Sequence, residues 1–163
     1  MIMKPITSRP LHLHLLLGAI LLFVSSAHFT PEANAGYTAT QKKLLRLHNE
    51  EREKRNKPRL KLKGALNNAA SKYAVVMDAN DHFDHTGPAP DFSTFDVRIE
   101  AEGPGLFTTM AENIALGQPT PEAVTKSWIK SPGHRRNILN KSFRFVGFGT
   151  AGTEPYWVAN FGG

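Results

Sequence analysis

The sequence predicts an α/β layered domain with an antiparallel sheet, and three observations point to it. Between residues 40 and 131 apolar side chains recur at helical spacing in several separate segments. The C-terminal third changes character: Phe143 to Thr150 and Tyr156 to Phe161 are aromatic and β-branched runs bracketing Gly152, Thr153, Glu154 and Pro155, the pattern of a hairpin. Between these regions, Trp128 to Ile138 reads as a helix that stops, turns tightly and restarts, because Pro132 rejects continuation while Ser131-Pro132 has the order of an N-cap followed by a first-turn proline. Helices followed by paired strands must stack in layers to bury their apolar faces. Neither an internal repeat nor a second domain shows in the pattern.

The N-terminal 35 residues have the layout of a secretory leader. Lys4 and Arg9 precede an apolar run from Leu11 to Val24, and small residues follow at Ser25, Ser26 and Ala27 and again at Ala33, Asn34 and Ala35. Cleavage is expected after Ala35, with Ala27 the second choice. The run is short for a bilayer span of ~20 residues, so an uncleaved anchor is the lesser reading. Residues 36–163 then form the mature domain, with no membrane span. Loss of Lys4, Arg9 and Glu32 takes the net charge from +6 to +5. A basic balance favours anionic surfaces in a non-specific way. Because no basic run is interleaved with aromatic residues, a nucleic-acid groove is not expected. The chain has no cysteine, so a secreted domain of this size must rely on its core alone.

Taken in order, the first helix is expected from about Thr40 to Asn56, ended by Lys57 and Pro58, with Leu44, Leu45, His48 and Arg52 on one face. His48 and Arg52 interrupt the buried stripe and need partners inside. Glu50 with Lys54, and Glu51 with Arg55, are spaced as outer-face ion pairs. A short extended link, Leu60 to Leu62, leads to a second helix in which Leu66, Ala69, Ala70, Tyr73, Ala74 and Met77 make a core stripe whose alanines allow close approach. It should end by Asn80, before a polar loop, Asp81 to His85, anchored by Phe83. Asp91 or Ser93 is the expected cap of a third helix carrying Phe92, Phe95 and Ile99 and ended by Gly103 and Pro104. Ala111 to Leu116 reads as a strand in which Glu112 sits, anomalously, on the apolar face with Ile114 and Leu116. Thr120 and Pro121 open the helix that carries Val124 and Trp128.

Local catalytic signatures are silent. The sequence has no Gly-x-Ser-x-Gly elbow, no phosphate-cradling glycine loop and no His-Glu-x-x-His helix. Ser131 and His134 lie three apart, but Ser131 is better explained as a cap than as a nucleophile. His134 falls in the first turn of the restarted helix, where unpaired N–H groups, the dipole and the adjacent Arg135 and Arg136 all disfavour imidazolium. A neutral imidazole there can accept a proton or a hydrogen bond, or bind a metal.

Several motifs in order resemble the CAP superfamily (cysteine-rich secretory proteins, antigen five and pathogenesis-related proteins), in particular its bacterial branch. They are His48-Asn49 with Arg52, Asp84-His85-Thr86-Gly87, Ala111-Glu112-Asn113-Ile114-Ala115, Trp128 with Ser131-Pro132-Gly133-His134-Arg135-Arg136-Asn137-Ile138-Leu139, and Tyr156-Trp157 before Phe161-Gly162. The resemblance covers about residues 41–162. It implies an α-β-α sandwich with a central antiparallel sheet, secretion to a periplasmic or extracellular location, and a cleft where two histidines and two acids meet, often around zinc or another divalent metal. His85 corresponds to the first cleft histidine and Glu112 to the first cleft acid. The position of the second acid, three residues after Trp128, holds Ser131, and His134 takes the place of the second histidine without being its strict equivalent.

His85, Glu112 and His134 are therefore the expected metal ligands and the candidate catalytic residues, two imidazoles and one carboxylate being a donor set that suits zinc with an open position. The leading functional expectation is a binding or interaction module for a lipid, sterol, cell-envelope or protein ligand. The alternative is a metal-dependent, protease-like hydrolase using the same three residues. His48, Arg52, Asn49 and Asn113 are expected to serve the backbone.

Overall fold

The structure is a computed structural model and describes residues 36–90 and 93–163; the expected leader, and Asp91 and Phe92, lie outside the described residues. Five helices and four strands follow in the order α1 (Ala39–Glu53), β1 (Lys61–Leu62), α2 (Gly64–Ala79), α3 (Phe95–Glu102), β2 (Met110–Leu116), α4 (Pro121–Lys130), α5 (Pro132–Leu139), β3 (Phe145–Ala151) and β4 (Tyr156–Gly162). The sheet order is β1-β3-β4-β2. β4 runs antiparallel to both β3 and β2, whereas β1 adds two residues parallel to β3. Its central part is the expected antiparallel sheet, and the parallel edge is too short to give a periodic signal.

The period of the strands sorts side chains onto two faces. Val146, Phe148, Trp157, Ala159 and Phe161 join Leu44 of α1, Val124 and Trp128 of α4 and Ile138 of α5 in one core. Ile114, Tyr156 and Val158 face α2, and Met110 and Phe145 pack where α2 meets α3. The result is a sandwich, α1, α4 and α5 on one side of the sheet and α2 and α3 on the other. Close approach of α2 rests on glycine as well as alanine. A Cβ at Gly147 would lie 2.1 Å from Asn67 N, and one at Gly149 2.3 Å from the Ala70 backbone.

Element ends differ from the expectation in instructive ways. Thr38 caps α1 through a reciprocal capping box with Gln41, one turn earlier than the apolar pattern begins. Glu50 pairs with Arg46 and not with Lys54, which turns to Glu51 beside Arg55. Thr94 rather than Ser93 occupies the N-cap of α3, without a side-chain cap bond. Ser131 stands at the N-cap position of α5, but its hydroxyl makes no capping bond. Phe83 is not the loop anchor: it is 48% exposed. The loop is held instead by polar contacts, from Tyr73 Oη to the Asp84 carbonyl (2.5 Å) and from His82 Nε2 to the Thr86 carbonyl (2.7 Å).

The polar interruptions of the α1 stripe serve the backbone as expected. His48 is fully buried and donates from Nδ1 to the Leu44 carbonyl (2.9 Å), with its ring edge-on to Trp128 and Phe148. Burial holds its pKa down at about 4, so it packs as a neutral ring. Asn49 exchanges two hydrogen bonds with the Leu60 backbone. Trp128, buried, donates to the Ile114 carbonyl (3.1 Å), tying α4 to β2.

Candidate functional site

β2 is an edge strand, and the polar residues converge on it from both layers. Glu112 points to the α2/α3 side, and its side chain is 0% exposed. A buried carboxylate needs charge and hydrogen-bond partners, and Glu112 has three. Arg98 of α3 donates from Nη2 to both carboxylate oxygens (3.1 and 2.9 Å). His85 donates from Nδ1 to Oε1 (2.9 Å). Asn160, directly opposite on β4, donates to Oε2 (3.2 Å) with its amide turned to face the carboxylate.

Arg98 is the residue that the sequence reading missed. Its guanidinium lies 3.3 Å over the Tyr73 ring centroid, donates to the His85 carbonyl (3.1 Å) and reaches the Ser93 carbonyl. One side chain thus fixes the histidine loop, the start of α3 and the buried acid together. A signal for it did exist: a carboxylate on an apolar strand face demands a cation, and Arg98 adjoins the apolar positions Phe95 and Ile99 of the neighbouring helix.

From the other layer, Asn113 donates to the His134 carbonyl (3.1 Å), and Asn137 bridges Asn113 Oδ1 (2.9 Å) and the Glu112 carbonyl (3.3 Å). These bonds clamp the first turns of α5 onto β2. Asn113 therefore does serve the backbone. His134 comes close enough to His85 for the two rings to feel each other's charge.

The environment pushes the two histidines apart. The hydrogen bond and charge of Glu112 raise the His85 pKa above its ordinary 6.5. Burial, and then the charge of His85, lower that of His134. The direction for His134 is the one expected from the sequence, but the cause is desolvation at the sheet edge. Half-exposed His85 is thus a proton holder, and His134 a neutral acceptor. Among the described residues no group of three or more His, Cys, Asp or Glu side chains is arranged to hold a metal ion.

A profile of the cysteine-rich secretory protein family, CAP, matches residues 45–161. The chain belongs to the CAP family. YkwD of Bacillus subtilis is 37% identical over 132 residues, covering 81% of this chain and 50% of that protein. The Bacillus subtilis membrane protein YlbC is 28% identical over 76% of this chain and 34% of its own length. The chain thus spans half or less of these relatives. An extracellular protein containing an SCP domain from Bacillus anthracis superposes with a TM-score of 0.67 at 28% identity, over 76% of this chain and 40% of that one. An outer surface protein of Borrelia burgdorferi gives 0.67 at 26% identity, over 74% and 90%. As a CAP domain, this chain is cysteine-free, and its buried Glu112–Arg98 pair ties β2 to α3. No helix among the described residues is long and apolar enough to cross a membrane.

Proposed function

We propose that this chain is a secreted CAP binding module whose cleft, between His85 and His134 at the β2 edge, recognises a ligand rather than turns one over. The saturated state of Glu112 carries the reading. Both of its oxygens accept hydrogen bonds, and its charge faces a guanidinium, so the acid that a hydrolase would use as base is already spent. The extracellular and outer-surface descriptions of the structural relatives support export.

A divalent metal such as zinc would take its nitrogen donors from His85 Nε2 and the His134 imidazole, with Glu112 acting from behind. A carboxylate that receives the other N–H of a ligating histidine fixes its tautomer and direction, and His85 Nδ1 is engaged in that way. An apolar portion of the ligand has a place beside the cleft. A groove of about 240 Å³ runs between α2 and α3 past Tyr73, Val76, Val97, Arg98 and Ala101. It is below the ~300–1,000 Å³ of enclosed small-molecule sites, so it takes an alkyl segment rather than a whole sterol.

Calorimetric titration of zinc into the metal-free protein tests the donor assignment. We expect His85→Ala and His134→Ala to abolish binding at pH 7.5, and Glu112→Gln to weaken it about 10- to 100-fold. Because Glu112 holds a proton on His85, affinity should already decline at a pH above 6.5 as the solution is acidified. Zinc affinity indifferent to both histidine substitutions would remove the metal from this cleft.

A further inference from the structure

Charge in this chain is strongly polarised. Residues 51–59 and 135–144 hold nine of the eighteen Lys and Arg residues of 36–163 but only two of the thirteen acids, giving these segments a net +7 while the remainder sums to −2. The fold brings the two segments together. Arg52, buried at the C-terminal end of α1, donates to the carbonyls of Pro58, Ile138, Asn140 and Phe143 and so staples α1 to the end of α5 and the loop after it. Its own charge meets carbonyl oxygens and no carboxylate. Burial and the nearby Arg144 both lower its pKa.

Above this staple the surface carries two adjoining depressions that share Lys57. One, of about 480 Å³, is lined by Lys57, Arg135, Arg136, Leu139 and Asn140. The other, of about 370 Å³, is lined by Asn56, Lys57, Pro58, Lys141, Ser142 and Arg144. The two acids nearby are engaged on the outer face of α1, Glu51 by Lys54 and Arg55 and Glu53 by Arg59. Lys57, Arg136 and Lys141 have no ion-pair partner among the described residues, and Arg135 and Arg144 donate only to carbonyls.

We propose that this basic trough binds a linear phosphate-bearing polymer that lies across Lys57 from one depression to the other. Two shallow depressions joined at Lys57 suit a strand of repeating anions, whose successive charges meet Arg135 and Arg136, then Lys57, then Lys141 and Arg144. A flat bilayer is a poorer match. Membrane docking combines basic residues with inserted apolar ones, and the exposed large apolar residues, Val75, Phe83, Val97 and Leu106, belong to α2, α3 and the loops beside them. The lining also lacks an aromatic side chain, so nucleobases gain no stacking there. α5 links the trough to the cleft: His134 is in its first turn and Arg136 in its last, within the ~12 Å length of an eight-residue helix. Polymer bound at the trough would hold the cleft close to the same surface.

Inorganic polyphosphate serves as the probe, measured by fluorescence anisotropy with residues 36–163 and with the full chain. Arg136→Glu with Lys141→Glu, one in each depression, should weaken binding at least tenfold and flatten its dependence on salt, since each lost phosphate contact removes about one counterion-release step. Lys42→Glu with Lys126→Glu makes the same change of net charge on exposed helix positions elsewhere and should alter affinity less than threefold. Equal losses in the two variants would reduce the effect to net charge and overturn the proposal. Tighter binding to phosphatidylglycerol vesicles or to oligo(dT) than to polyphosphate would overturn it in favour of a membrane or a nucleic acid. Because neither depression includes His85 or His134, failure here leaves the cleft reading intact, and failure of the zinc titration leaves this one.

Discussion

Arg52→Ala is expected to destabilise the domain by about 5 kcal/mol, the largest single loss in the chain, read as a shift of the urea midpoint at unchanged slope. The side chain is buried, and its guanidinium satisfies four carbonyls at 2.6, 2.7, 2.9 and 3.3 Å from two stretches of backbone, Pro58 and residues 138–143. Hydrogen bonds from a charged donor contribute about 1.5–3 kcal/mol each, and orphaned buried carbonyls add a desolvation cost. The gain is offset by the cost of burying the charge, which keeps the net below the sum. Arg52→Lys should recover less than half, because one ammonium cannot reproduce the planar fork that reaches Pro58 on one side and Ile138, Asn140 and Phe143 on the other. A loss below about 2 kcal/mol for Arg52→Ala would mean that water replaces the guanidinium.

Arg98→Ala should cost nearly as much, about 4–5 kcal/mol, and for an electrostatic reason. Removing one partner of a buried ion pair leaves the other charge uncompensated, at about 3–5 kcal/mol, and the stacking on Tyr73 is lost besides. Glu112, fully buried, would then keep only His85 and Asn160. Arg98→Ala combined with Glu112→Gln should be more stable than Arg98→Ala alone, since no bare carboxylate remains. If the double variant is instead the less stable one, Glu112 is held by something other than the guanidinium. Near-ultraviolet circular dichroism of the Tyr73 environment follows the same substitutions.

Most of the architecture was written in periodicity. The α2 stripe from Leu66 to Met77, the helix restart at Pro132 and the hairpin around Gly152 all appear where the spacing of apolar residues and the turn chemistry place them. The extended segment at Leu60 to Leu62 was legible, but its parallel pairing with β3 was not, because two residues cannot show a period, and Phe83 misled because an aromatic ring in a polar loop looks like an anchor when it is in fact exposed. The site divides in the same way. His85, Glu112 and His134 could be picked out individually, and the misfit of Glu112 on an apolar strand face was visible in the sequence. The demand for a cation was legible there too, but spacing alone did not select which cation meets it. Arg98 is fourteen positions away on another element, and pairing across that distance is set by how α3 lies on the sheet, not by any spacing along the chain. The cause of the low pKa of His134 was equally hidden: the dipole argument gave the right direction, whereas the dominant desolvation depends on burial at the β2 edge.

The account stands on Glu112 as a fixed counter-ion that divides the two cleft histidines, and an NMR titration of their imidazole resonances tests this most directly. His85 should titrate above 6.5 and His134 below it. The sign for stability follows: the His85–Glu112 bond contributes fully below 6.5 and fades as pH rises through the higher value of the folded state, while buried His134 costs stability as pH falls below 6.5. In Glu112→Gln the His85 value should drop toward or below 6.5, with His134 rising slightly as its charged neighbour is lost. Two histidines titrating together near 6.5, and unmoved by Glu112→Gln, would contradict the arrangement of the cleft.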